Sequence, residues 1–195
     1  MRTDIITVSS SGSRIETALE QVEKVAAYKG LDKKSTLWLR LLTEEMMGMM
    51  RSITGETQGK FWIEDEDGEY RLHLQVNTWM DFDKREKLLN ASTSGKNEAA
   101  KGLMGRLRNF FDQAGDSSDM MILDSDMMDF GTGSTLNWEW SMNAYRASIR
   151  QRMDEDVKAR EIWDELEQSV VTHVADEVKV SIRGGKAELI ILKKL

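Results

Sequence analysis

The sequence of 195 residues contains no cysteine and no proline. Without cysteine, the chain has no disulfide framework, no zinc–thiolate site and no thiol nucleophile. Without proline, every break between helices and strands must be made by glycine, asparagine, aspartate or serine. The lack of cysteine fits a reducing compartment, and we expect the protein to be cytoplasmic.

Long apolar runs and an excess of basic charge are also missing. The first ten residues, MRTDIITVSS, lack the apolar core of a secretory signal. No run approaches the roughly 20 apolar residues that a membrane span needs. The formal net charge is −7 and no basic patch is visible, which argues against nucleic acid and anionic membrane surfaces. We therefore expect neither as a partner.

The residues that are present suit a folded domain. Apolar residues make up 40% of the chain and charged residues 31%, which is enough to bury a sizeable core. The 13 methionines form either an adaptable core or a soft surface for a partner. The same two interpretations, core or interface, apply to the aromatic residues of the C-terminal half: Trp138, Trp140, Tyr145 and Trp163.

The first part of the chain predicts a strand, two helices and a hairpin. The strand covers residues 4–9, and amphipathic helices cover 14–29 and 36–53, with Gly30 as the C-cap of the first. Two further strands, at 60–64 and 70–76, surround the acidic turn EDEDGE, which contains the hairpin signal Asp-Gly.

The second part predicts three more helices and a closing hairpin. The helices cover 97–114, 138–153 and 157–175, a short strand covers 120–123, and the hairpin joins 177–183 to 186–193. This order predicts an α+β fold. We expect a two-layer sandwich with helices on one face of a mixed, mostly antiparallel sheet.

Glu45 stands out within the helix predicted at 36–53. Its neighbour Glu44 belongs to the polar stripe of the helix, whereas Glu45 has apolar neighbours at helical spacing: Trp38, Leu41, Leu42 and Met49. A carboxylate on an apolar face costs several kcal/mol unless it is partnered, so such residues are candidates for function. Two structural explanations of Glu45 stand beside a functional one. In the first, its carboxylate caps a neighbouring backbone; in the second, the apolar face of the helix is only partly buried.

Other polar motifs are interpreted as structural. His73 lies on the polar side of its strand and His173 in a late helix, and neither has metal ligands at suitable spacing, so both are expected at the surface. The acidic segment DSDMMDFGTG lacks the spacing of an EF-hand, and STSGK lacks the pattern of a P-loop.

The order of elements resembles the ATP-binding fold of the GHKL ATPases, which include sensor histidine kinases, Hsp90-type chaperones, gyrase-type topoisomerases and anti-sigma-factor serine kinases. The anti-sigma subgroup is the most similar, because it also begins with a strand and two helices. The resemblance covers most of residues 3–114 and 160–195, with about 115–160 as an insertion in a single domain, 1–195. It implies a bacterial-type cytoplasmic regulatory protein with a divergent ATP-binding domain.

In that family the second helix carries a glutamate that can orient or activate water, followed four residues later by an asparagine that holds Mg²⁺. Here LLTEEMMGMM places Glu45 at the glutamate position and Met49 at the asparagine position. The resemblance thus implies Glu45 as the catalytic residue. Because Mg²⁺ prefers oxygen ligands, no metal ligand is assigned and the need for Mg²⁺ stays open.

The two later family motifs read adenine and close a lid over ATP. After the strand that ends LHLQV, either Asn77 or Asp81 takes the adenine-reading position. The lid corresponds to SGKNEAAKGLMGRL, which opens a helix suited to phosphate binding. It supplies glycines and phosphate partners: Gly95, Lys96, Lys101, Gly102 and Gly105. The resemblance implies ATP or ADP as the cofactor.

Two functions stay open. The first is nucleotide-dependent control of a regulatory factor, as in anti-sigma-factor kinases. The second is a GHKL scaffold that has lost its nucleotide and docks a protein through methionine-rich and aromatic-rich surfaces. Both imply a protein partner, and a homodimer is compatible with either. A third interpretation is an unrelated α+β domain in which Glu45 is a structural acid.

Overall fold

The computed structural model of the chain describes residues 1–9, 14–54, 58–77, 138–153, 157–167, 169–183 and 186–195. Its strands are β1 (Ile6–Ser9), β2 (Gln58–Glu66), β3 (Glu69–Asn77), β4 (Trp138–Ser141), β5 (Glu177–Arg183) and β6 (Lys186–Lys194). Its helices are α1 (Arg14–Lys29), α2 (Lys33–Thr54), α3 (Met142–Arg152), α4 (Val157–Glu167) and α5 (Val170–Val174).

The six strands form one sheet in the order β1-β2-β3-β6-β5-β4, and every described pairing is antiparallel. One face of the sheet is apolar, with Phe61, Leu74, Leu189 and Val180 in a single row across four strands. Helices α1, α2 and α3 contact this inner face through Lys29, Met50 and Tyr145. The predicted α+β fold with two layers is therefore confirmed.

Local signals define the boundary between α1 and α2. Gly30 has a φ of +66° and ends α1, and the Leu31 N–H donates to the Ala26 carbonyl at 2.9 Å. Asp32 then caps α2 by accepting from the Ser35 N–H at 2.6 Å. This hydrogen bond lowers the pKa of Asp32. Because of this cap, α2 begins at Lys33, one turn earlier than its apolar periodicity predicts.

The predicted hairpin between β2 and β3 is present. Asp67 and Gly68 both have positive φ, 51° and 82°, as a two-residue type I′ turn requires. The turn pairs Glu66 with Glu69, which determines every pair farther along the two strands. A Cβ on Gly68 would lie 2.9 Å from the Leu195 carbonyl oxygen, so this position also lacks space for a side chain.

Two predictions for the C-terminal half need correction. The pattern predicts a helix from residue 138, whereas Trp138–Ser141 forms the edge strand β4 beside β5. Tryptophan favours strands, and the Ser141 hydroxyl accepts from the Ala144 N–H at 3.2 Å, so α3 begins only at Met142.

The second correction concerns residues 157–175, which form α4 and α5 rather than one helix. Between them Ser169 is extended, with a φ of −80° and a ψ of 127°. The Thr172 hydroxyl donates to the carbonyl of Leu166, which satisfies an acceptor at the end of α4. The helix predicted at 97–114 and the strand predicted at 120–123 lie outside the described residues.

The core lies between the inner face of the sheet and the helices. The methionines of α2 are all packed there, with at most 2% of each exposed: Met46, Met47, Met49 and Met50. Trp140 and Tyr145 are also buried, with ring centroids 5.9 Å apart. These described residues therefore serve the core rather than a docking surface. None of the described helices is long and apolar enough to cross a membrane.

Candidate functional site

Glu45 lies at the margin of the buried face of α2. Met49, one turn later, is only 2% exposed, whereas Glu45 itself is half-buried. Its other neighbours Trp38 and Leu41 are half-buried as well. Within the described part of the chain, no hydrogen bond or ion pair holds the Glu45 carboxylate. The surroundings of Glu45 therefore match one of the alternatives from the sequence, an apolar face that is only partly buried.

The flank of α2 that carries Glu45 points away from α1. On the opposite flank, Arg40 forms an ion pair with Glu23 of α1. At about 100° per residue, Glu45 shares its direction with Trp38, and the Lys193 ammonium of β6 lies 5.0 Å from the centroid of the Trp38 ring. Glu45 thus lies on the side of α2 that faces the β6 half of the fold.

The C-terminal half of α2 covers one end of the sheet. A Cβ built on Gly59 would lie 3.0 Å from the Met50 sulfur, which places this part of α2 over the start of β2. The same end of the sheet holds Ser9, Asn77 and Lys186, because Ser9 pairs with Gln58 and Asn77 with Lys186. The chain therefore leaves for residues 78–137 at the end of the sheet that α2 covers with its C-terminal half.

Asn77 shares this end with α2 but not the same face. Side chains alternate along a strand, and Val76 is buried in the core at 4% exposure. Asn77 is exposed and has the parity of His73 and Gln75. Its side chain therefore lies on the outer face, which we define as the face opposite the one that α1, α2 and α3 contact. Glu45 and Asn77 are not brought together.

The remaining predicted site residues lie outside the described residues: Asp81, Gly95, Lys96, Lys101, Gly102 and Gly105. Met49, the position that the resemblance aligns with a Mg²⁺-binding asparagine, is part of the hydrophobic core. In the part of the chain that the structure describes, no group of three or more histidine, aspartate or glutamate side chains could hold a metal ion.

A polar cluster on the outer face was not predicted from the sequence. His73 is only 7% exposed and stacks on Trp62, with ring centroids 4.7 Å apart and an angle of 11° between the rings. The expectation that His73 lies at the surface is therefore wrong, whereas His173 is exposed as expected. The signal was available, because a two-residue turn at Asp67-Gly68 pairs position 62 with position 73.

An ion pair with a buried carboxylate lies at the other end of the sheet. The Asp65 side chain is 3% exposed and pairs with Lys29, the last residue of α1. The hydrogen bond with Asp65 raises the pKa of Lys29. The pKa of Tyr70 is raised mainly by burial and, to a smaller extent, by the negative charge of Asp65. This pair joins α1 to β2 and lies far along the strand from the end that carries Asn77.

No protein-family model matches the sequence, and no curated protein or solved structure is significantly similar to it. Glu45 is half-buried near the middle of α2. Among the described residues, its carboxylate is the clearest candidate for a chemical role.

Proposed function

We propose that the chain is a cytoplasmic regulatory protein with a divergent GHKL-type domain, similar to anti-sigma-factor kinases, that binds ATP or ADP and controls a protein partner. The observation that carries the proposal is the position of Glu45. It is half-buried near the middle of α2, and five residues later Met50 packs over the end of the sheet from which the chain enters residues 78–137. That segment contains the residues proposed to contact adenine and phosphate.

The proposal assigns each group a role. Glu45 orients a water or hydroxyl near the terminal phosphate, and Lys96 and Lys101 meet the phosphates. Asp81 reads the adenine, since Asn77 lies on the outer face of the sheet. The closing strands follow β3 in the sheet, with β6 next to β3 and β5 next to β6.

The burial of Met49 limits the chemistry. Phosphoryl transfer depends on a cation that neutralises charge developing on the phosphates. Met49 is 2% exposed in the core and its thioether is a poor ligand for Mg²⁺. The proposed activity is therefore nucleotide binding that changes the affinity for a partner, with little or no turnover.

A thermal-shift experiment with ATP and ADP, each with and without Mg²⁺, tests the proposal. Wild type should be stabilised by nucleotide to a similar extent with and without Mg²⁺. Glu45→Gln should keep this shift while any residual hydrolysis falls about 100-fold, and Glu44→Gln, on the exposed side of the same turn, serves as the matched control. The absence of a shift with both nucleotides would contradict the proposal.

The core position of Met49 also favours a second function, in which the scaffold docks a regulatory factor without nucleotide. In that case neither nucleotide shifts the melting temperature, and a defined complex forms with equal affinity in the presence and absence of ATP. Since the described methionines of α2 are buried, such docking would use surfaces other than these side chains. Nucleotide-dependent affinity for the partner would contradict this second function.

A further inference from the structure

Helix α3 is positively charged in a chain whose net charge is −7. Its sequence, MNAYRASIRQR, contains three arginines and no acidic residue. Arg146 and Arg150 are one turn apart, and their guanidinium carbons lie 5.7 Å and 5.1 Å from the centroid of the Trp163 ring of α4. Two like charges therefore meet on one indole, and we call this set the arginine–tryptophan surface: Arg146, Arg150 and Trp163.

Neither guanidinium of this surface forms an ion pair within the described ranges. Arg146 is half-buried and donates to the Thr172 carbonyl at 3.4 Å, whereas Arg150 is exposed. Glu167, one turn after Trp163, accepts a hydrogen bond from the indole Nε1 atom at 2.8 Å. Its carboxylate thus holds the edge of the ring and leaves the two positive charges on the face of the ring without compensation.

Arginines elsewhere in the described chain have found carboxylates. Arg2, Arg40 and Arg71 each form an ion pair with a glutamate. An indole face attracts each cation of the arginine–tryptophan surface, but like charges four residues apart on a helix repel each other. A carboxylate bound to the pair would remove this repulsion and would accept parallel hydrogen bonds from a planar guanidinium. The surface is therefore suited to an anion with carboxylate geometry.

The charges around this surface favour a short acidic protein segment over nucleic acid. Nucleic-acid binding depends on contacts with many phosphates along a basic surface. The exposed side of α4 carries acidic residues instead, which repel a long polyanion: Glu161, Asp164 and Glu167. Tryptophan and arginine are also the residue types that most often anchor protein interfaces.

We propose that the arginine–tryptophan surface is the docking site for an acidic segment of a protein partner. Carboxylates of the segment bind the guanidinium groups of Arg146 and Arg150, and the Trp163 ring holds both groups in position. The inference deepens the proposed function, because it rests on the protein partner named there and identifies where that partner binds. It does not require nucleotide.

Binding of a dye-labelled peptide with six consecutive glutamates, measured by fluorescence anisotropy without nucleotide, tests the proposal. Wild type should bind the peptide. The double variant Arg146→Gln, Arg150→Gln should bind it at least about 10-fold more weakly, because charge-assisted hydrogen bonds are lost. No binding to wild type would overturn the proposal.

The matched control removes two positive charges from the exposed side of β5. Lys179 and Arg183 are exposed there, and Lys179→Gln with Arg183→Gln should change the affinity for the peptide by less than about 2-fold, because distant exposed charges are screened by salt. An equal loss in the two double variants would overturn the proposal, since it would show a response to net charge alone.

Two further measurements separate this inference from its alternatives. Arg150 is exposed, so Arg150→Glu should keep the melting temperature of wild type and abolish detectable binding of the peptide. A single-stranded DNA oligonucleotide with six phosphates should bind wild type more weakly than the peptide, and tighter binding of the DNA would overturn the proposal. If nucleotide stabilises the protein but the peptide does not bind, the docking site is wrong and the proposed nucleotide binding stands.

Discussion

Met50 of α2 packs directly on Gly59 of β2. A Cβ built on Gly59 would lie 3.0 Å from the Met50 sulfur, 3.0 Å from the Gln75 carbonyl oxygen and 3.0 Å from Cδ1 of Leu74. The absence of a side chain at Gly59 therefore determines how closely the C-terminal half of α2 approaches the sheet, at the end where the candidate site is proposed.

Gly59→Ala should destabilise the fold by about 1–3 kcal/mol, the usual cost of overpacking. The Met50 side chain can move, but the Gln75 carbonyl belongs to the backbone of β3 and cannot move without disturbing the strand pair. Chemical denaturation of the purified variant measures this loss.

Gly48→Ala is the matched control, because Gly48 is exposed within α2 and a Cβ there would meet no atom within 4 Å. Alanine is the better helix former, so this variant should gain about 0.5–1 kcal/mol. Similar effects of the two substitutions would contradict the close approach of Met50 to Gly59.

Substitutions of Met49 test whether this residue lies in the core or faces the proposed pocket. Met49→Leu conserves volume and should cost less than about 1.5 kcal/mol. Met49→Asn should cost about 2–5 kcal/mol, because it removes buried apolar atoms and leaves an unpaired amide in the core. Denaturation of both variants gives the difference. A stable Met49→Asn protein that gains Mg²⁺-dependent nucleotide binding would show instead that this residue faces the pocket.

The ion pair of Lys29 and Asp65 predicts a loss of stability in alkali. The raised pKa values of Lys29 and Tyr70 mean that the folded state favours their protonated forms. Their contribution to folding stability is fully present at pH values below the ordinary pKa values of 10.5 for lysine and 10.0 for tyrosine. It is lost as the pH rises through the raised pKa values of the folded state. The stability of wild type, measured by the midpoint of its unfolding transition, should therefore decrease as the pH rises above about 10.

Substitutions separate the contributions of Lys29 and Tyr70 to the alkaline loss of stability. Lys29→Met leaves the Asp65 carboxylate buried without its lysine and should lower stability at neutral pH, and Lys29→Met combined with Asp65→Asn should recover part of the loss. Tyr70→Phe keeps the ion pair but removes one titrating group, so its alkaline loss should be smaller than that of wild type. An unchanged alkaline profile in both Lys29→Met and Tyr70→Phe would argue against this assignment.

Much of the fold could be predicted because its signals are local. The cap at Gly30 and the Asp67-Gly68 turn depend on backbone conformations that few residue types adopt. Strand β4 could not be recognised in this way, because Trp138 and Trp140 become a strand by pairing with β5, whose residues Ile182 and Val180 lie about 40 positions later in the chain.

The candidate site was partly accessible from the sequence. The alternation of Leu72, Leu74 and Val76 with polar residues already implies that Asn77 belongs to the polar side of β3. The side chain of Asn77 could therefore have been assigned to the outer face before the structure. The burial of His73 could be predicted only in part: the local turn places it opposite Trp62, but its contact with Glu188 depends on a strand that joins the sheet 115 residues later.

By itself the sequence determined the fold class, the hairpin register and the apolar setting of Glu45, because periodicity and turn chemistry act over a few neighbouring residues. Only the tertiary structure decided how deeply each side chain is buried and which face it shares. It made Glu45 half-buried, Met49 a core residue and His73 the centre of a polar cluster. These outcomes depend on contacts between distant elements, which no local pattern records.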